Sequence, residues 1–277
     1  MRNLKSIIVG VGMATILLSA CGSGNSGLTV SGLNPDAFDS TVNGKKVQLF
    51  NLTNSNGMEV CITNFGGRVV SICVPDKNGK PVDVVLGYDN LKQYTDSVNS
   101  PSDFGATIGR YANRINKGQL TIGGKKIQLP TNNFGHCLHG GPSGWQYQVY
   151  DAKQLNDTTL QLVMHSMDGD NNFPGNITAT ATYTVNKNNT LDCKYEATTD
   201  KETVINMCNH SYFNLTGDLS KPGTNMVLYI NADNYTPTDA TYMTTGDIKS
   251  VYGTPMDFTK RHPLFQTIAD TSFVQIK

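Results

Sequence analysis

The sequence is poor in charge, with only 16% Asp, Glu, Lys and Arg, and the two signs balance at 22 residues each. No net field is left to draw the chain to nucleic acid or to anionic lipid, so neither is expected as a partner. Also missing is an apolar run of the roughly 20 residues that a membrane-spanning helix needs. The six cysteines include no Cys-x-x-Cys spacing, which argues against a metal cage. No long stretch repeats its apolar residues at helical spacing, and no internal repeat or shift of composition marks a second domain. What remains is a chain of 277 residues rich in Thr, Asn and Gly. That is enough for one large β domain with a sizeable core.

The first twenty residues stand apart. Arg2 and Lys5 precede a mostly apolar run from Ile7 to Leu18, the pattern of a secretion signal. The run closes with Leu18-Ser19-Ala20-Cys21, which resembles the bacterial lipoprotein signal and makes Cys21 the expected lipidation site and mature N-terminus. A Gly/Ser/Asn stretch from Gly22 to Gly27 follows as a flexible tether. The expected organisation is a signal over 1–20, lipidated Cys and tether over 21–39, and one domain over 40–277. Losing Arg2 and Lys5 leaves 20 basic against 22 acidic residues, about −2 for the mature chain. A lipid-anchored body at the bacterial cell envelope is implied. The remaining cysteines, Cys61, Cys73, Cys137, Cys193 and Cys208, are odd in number, so at least one has no partner within the chain.

Beyond the tether the period is two. Asn43-Gly44, Asn78-Gly79 and Gly123-Gly124 each separate short alternating runs, and such pairs tolerate the positive φ of tight hairpin turns. Ile177, Ala179, Ala181, Tyr183 and Val185 alternate with four threonines, and Leu191, Cys193, Tyr195 and Ala197 alternate with polar residues. Leu160, Leu162 and Met164 add another strand. Each of these strands is expected to bury one face and wet the other, giving a large antiparallel β-sandwich.

Histidine is scarce, five in all, and one of them sits in Asn209-His210-Ser211-Tyr212-Phe213-Asn214-Leu215. An imidazole titrates near neutral pH, with an ordinary pKa of about 6.5, and suits proton transfer. Four further polar clusters accompany it. Gly109-Arg110-Tyr111-Ala112-Asn113-Arg114-Ile115 offers amide and guanidinium donors suited to hydroxyl-rich ligands. His136-Cys137-Leu138-His139-Gly140-Gly141 pairs imidazoles with glycines that permit close backbone approach; two histidines three apart without a third ligand make a weak metal signal. Asp168-Gly169-Asp170 reads as a turn rather than a calcium loop, because no closing glutamate follows at the required spacing. Gly253-Thr254-Pro255-Met256-Asp257-Phe258 presents one carboxylate.

Together with Tyr235-Thr-Pro-Thr-Asp239, the motifs around Asn113-Arg114, His139, His210 and Asp257 resemble the aldose 1-epimerase (galactose mutarotase) family over roughly residues 40 to 277, in order as well as in kind. The resemblance implies a sandwich of the galactose-mutarotase type and interconversion of the α and β anomers of free aldoses such as glucose or galactose, without metal or cofactor. It implies His210 as the acid at the ring oxygen, with Asn113, Arg114, His139 and Asp257 holding the sugar. It also implies a glutamate base in a Leu-Glu-Thr-like setting near the C-terminus. Glu59, Glu196 and Glu202 sit in unlike contexts, so the chain ending at Lys277 is expected to be a C-terminally incomplete member, missing its last strands and impaired in turnover. The competing reading is a non-catalytic carbohydrate-binding lipoprotein. A hexose-phosphate epimerase fits the motifs less well, and a Ser211-His210-Asp257 hydrolase lacks the Gly-x-Ser-x-Gly elbow.

Overall fold

The structure is a computed structural model that describes residues 27–268 and Phe273. The signal segment and Cys21 lie outside the described residues.

All three hairpins form where the turn residues place them. β1 (Ser40–Val42) and β2 (Lys45–Val47) join through Asn43-Gly44, both at positive φ. β3 (Leu49–Thr53), β4 (Glu59–Thr63), β5 (Arg68–Pro75) and β6 (Pro81–Asp83) make a four-stranded antiparallel sheet in sequence order, with Gly79 at φ 78° in the β5–β6 turn. Then come β7 (Thr107–Ile108), β8 (Arg114–Ile115) and the hairpin of β9 (Gln119–Ile122) with β10 (Lys125–Gln128), followed by β11 (Cys137–Leu138). A second four-stranded antiparallel sheet follows from β12 (Asp151–Asn156), β13 (Thr159–Ser166), β14 (Ile177–Asn186) and β15 (Thr190–Thr199). β16 (Cys208–Asn209) returns to pair with β7.

The two large sheets face each other across one apolar layer. Leu52, Val60, Ile62, Val69 and Ile72 from the first meet Leu160, Leu162, Met164, Ala179, Ala181, Tyr183 and Val185 from the second. The alternation read in the sequence of β13 and β14 is what supplies the second sheet's inner face. β4 departs from alternation, since all five of its residues are buried. Val60 and Ile62 point to the sandwich, while Cys61 joins a second cluster with Phe38, Val47, Phe65, Val70 and Tyr94 on the other face. Glu59 is tolerated there because its carboxylate accepts from Ser31 N (3.3 Å) and Asn51 Nδ2 (2.9 Å).

Two expectations change. The stretch expected as tether up to residue 39 is packed toward its end, where a 3₁₀ turn at Pro35–Phe38 sinks the Phe38 ring fully into the second cluster. And β15 does not bury its apolar face: Leu191 and Tyr195 are half-covered while Cys193 and Ala197 are exposed. β15 is the last strand of its sheet, so among the described residues only β14 pairs with it. The five described cysteines are all unpaired, and burial pushes the Cys61 thiol up to about 12.

Candidate functional site

The site is assembled by very short pairings off the sandwich. β16 pairs with β7, and the ladder runs on as His210 N donates to Ala106 O (2.8 Å) and Gly105 N to His210 O (3.1 Å). This fixes the backbone that carries His210. Asn209 is not among the cavity-lining residues; its amide ties down the same turn by donating to Gly105 O at 2.8 Å. β8 pairs with β11, bringing Asn113 and Arg114 against His139. Their link is reciprocal, with His139 N donating to Asn113 O (3.1 Å) and Asn113 N donating to His139 Nδ1 (3.0 Å). Both residues hold positive φ, 66° at Asn113 and 52° at His139, an uncommon state for non-glycine residues that the paired bonds enforce. The loops approach closely because Gly140 has no side chain: a Cβ there would lie 2.3 Å from Gly109 O.

Asn113, Arg114, His139 and His210 line one open cavity of about 1350 Å³. The His139 and His210 rings stand edge to face, 5.2 Å apart at 88°. A run of aromatic rings backs them, from His210 to Tyr212 (5.2 Å), Phe104 (5.2 Å) and Tyr88 (5.6 Å). Arg114 is held flat by Asn133 Oδ1, which accepts from its Nη2 (2.8 Å) and Nε (3.1 Å), with the Tyr242 ring 5.2 Å from the guanidinium.

The hydrogen bonds fix one tautomer. Because Nδ1 of His139 accepts from Asn113 N–H, a neutral His139 carries its proton on Nε2 and can only donate there. Burial lowers the His139 pKa to about 4; the Asp103 charge opposes this, and His210 and Arg114 reinforce it. The ring therefore stays neutral near pH 7. Its folded pKa lies below the unfolded value of about 6.5, so the unfolded state binds the proton more readily, and the stability linked to His139 is lost as pH falls from about 6.5 through 4. A His139→Gln variant is expected to show a shallower fall of the urea midpoint over that window than the parent chain. Parallel falls would contradict the assignment.

Asp257 is not brought together with the other four. It is not among the cavity-lining residues; its carboxylate instead closes a local turn, accepting from Thr259 N (3.0 Å) and Thr259 Oγ1 (2.6 Å), which pulls its pKa down. His136 is structural, its Nδ1 accepting from Lys117 N and its Nε2 meeting Thr241 Oγ1 at 2.9 Å. Among the described residues no group of three or more His, Cys, Asp or Glu could hold a metal ion. Asp168 and Asp170 are used within their own region, accepting from Gly175 N and Ser166 Oγ. Ser211 Oγ is buried without a partner, so it makes no nucleophile–base bond to His210. Sequence reading missed the wall formed by Ser100, Ser102, Asp103 and Phe104, together with Tyr147 and Asn206. The only available signal was a polar loop just ahead of Gly105.

An all-β sandwich carrying a cavity lined by two histidines, an asparagine and an arginine defines the class of protein. The aldose 1-epimerase family model matches residues 48–277. Aldose 1-epimerase of Escherichia coli K12 is 36% identical over 215 residues, covering 78% of this chain and 61% of the relative. Galactose mutarotase of Mus musculus is 38% identical over 217 residues, covering 78% and 62%. Among solved structures, galactose 1-epimerase from Lactobacillus acidophilus NCFM superposes with a TM-score of 0.75 at 29% identity, covering 86% of this chain and 69% of that one. An aldose epimerase homologue from C. elegans gives a TM-score of 0.73 at 30% identity, covering 80% and 66%. The chain belongs to the aldose 1-epimerase family, and it spans about three fifths of the length of these curated relatives.

Proposed function

We propose that the cavity binds a free aldose in its pyranose form and that the protein interconverts its α and β anomers. The observation that carries this reading is the edge-to-face pair of His139 and His210 in one cavity with Asn113 and Arg114. Ring opening needs a proton delivered to the ring oxygen while the anomeric hydroxyl gives one up to a base. No glutamate of the cavity wall fills that part among the described residues, and it falls to water in the open cavity. Rotation about C1–C2 and reversal of the transfers gives the other anomer. His210 suits the acid because its ring makes no hydrogen bond to another described side chain, and its neighbouring rings are those of His139 and Tyr212. His139, a donor through Nε2 alone, holds a sugar oxygen, and Asn113 and Arg114 present donors to ring hydroxyls. No glutamate lines the cavity among the described residues, and Asp103 is its single carboxylate. The names of the relatives, aldose 1-epimerase and galactose mutarotase, support the substrate class. We further propose lipid anchorage at the cell envelope through Cys21.

Calorimetric titration with galactose and glucose, paired with polarimetry of freshly dissolved α-glucose, tests the reading. Saturable binding is expected, with an approach to anomeric equilibrium faster than in buffer but slow for the family, because no glutamate base lines the cavity among the described residues. Binding without acceleration would favour the carbohydrate-binding alternative, and absence of both would overturn the proposal.

A further inference from the structure

Asp103 lies in a turn held from two sides. Ala106 N donates to Asp103 O (3.0 Å), and the next residues of that turn pair with the backbone of His210. Behind it the fully buried Arg68 guanidinium donates from Nη1 to the carbonyls of Ser102 (3.2 Å) and Phe104 (3.0 Å), the residues on either side. The peptide carrying Asp103 is thus clamped, yet its carboxylate accepts no hydrogen bond from any described residue, and Oδ1 is buried without a partner. Removing a carboxylate oxygen from water with no donor is unfavourable, and in a cavity wall the missing donor can come from a bound ligand. The side chain lines the same cavity as His139, His210 and Arg114, and its charge reaches His139, Tyr147 and Arg68. Asn113, Arg114 and the His139 Nε2–H offer the sugar donors. Asp103 alone offers an anionic acceptor.

We propose that Asp103 is a substrate-binding residue that accepts a hydrogen bond from one hydroxyl of the bound pyranose and so helps to set which aldose is preferred. This rests on the reading of the cavity as an aldose site. The bond is charge-assisted and made in a partly dry wall, so its loss is expected to weaken binding by about tenfold or more.

The test is calorimetric titration of the full chain and its Asp103→Ala and Asp103→Asn variants with galactose and with a set of monodeoxygalactoses, alongside melting curves. For one deoxy position the parent chain is expected to lose affinity relative to galactose, while Asp103→Ala binds that analogue and galactose alike. Asp103→Asn, which keeps the shape and one neutral acceptor, should fall between them. Variants that melt like the parent and bind galactose as tightly would overturn the inference while leaving the aldose reading intact. So would a loss that is equal for every analogue, because that marks general disturbance of the wall. A parent chain that binds no aldose would overturn both.

Discussion

Replacing His210 by glutamine is expected to slow mutarotation by about 10²–10⁴-fold, the usual contribution of a positioned general acid. Sugar binding should survive. The backbone of His210 is structural, since its N–H and C=O continue the ladder with Ala106 and Gly105, and the substitution leaves both groups in place. The imidazole makes no hydrogen bond to another described side chain, and its ring neighbours are His139 and Tyr212. A melting temperature within about 2 °C of the parent is therefore expected, as for changes that break no buried bond. Polarimetry for the rate and calorimetry for binding separate the two effects. An unchanged rate in a folded variant would remove His210 from the acid role, and loss of binding with an unchanged turnover number would reassign it to sugar recognition.

The second large effect falls on stability. Arg68 is fully buried, and its guanidinium holds three main-chain carbonyls, Ser102 and Phe104 through Nη1 and Gln146 through Nη2 at 3.0 Å, while lying 5.1 Å from the Tyr94 ring. Burying a guanidinium is costly, and an apolar replacement recovers that cost. The carbonyls, however, belong to the main chain and cannot be replaced, so Arg68→Met leaves them short of donors in a closed space. Charge-assisted bonds are worth about 1.5–3 kcal/mol each, and after allowing for the recovered desolvation a net loss of about 3 kcal/mol is expected. In a chain of this size that corresponds to a fall of about 6–12 °C in melting temperature. The loop 100–104 should also loosen, weakening galactose binding in parallel. A variant as stable as the parent would show that the clamp contributes little.

How far the sequence could be read differs between scaffold and site for physical reasons. Asn43-Gly44 and Gly123-Gly124 announce their hairpins because tight turns demand positive φ, and the alternation through Ile177 to Val185 announces a half-buried strand because side chains alternate faces. β15 shows the same period without the same burial, since period reports which residues share a face and not what covers that face. His210, Asn113, Arg114 and His139 were legible through the motifs that hold them, and these motifs are largely main-chain devices: Asn209 ties a turn, and Gly140 allows an approach. Asp257 stood in an equally suggestive motif but spends its carboxylate on Thr259. Asp103 carried no local signal beyond a polar loop ahead of Gly105. Its place in the wall depends on Arg68, 35 positions earlier, and on a strand more than 100 positions later, and no windowed pattern records either.

The central claim is that a free aldose sits between His139 and His210, and imidazole NMR during a galactose titration addresses it most directly. The five histidines give five ring signals. The account predicts that the signals of His139 and His210 move together and saturate, while those of His136, His165 and His262, engaged elsewhere with Thr241, Thr178 and Thr267, stay in place. A titration in which the His139 and His210 signals stay fixed, or move no more than those three, would contradict it.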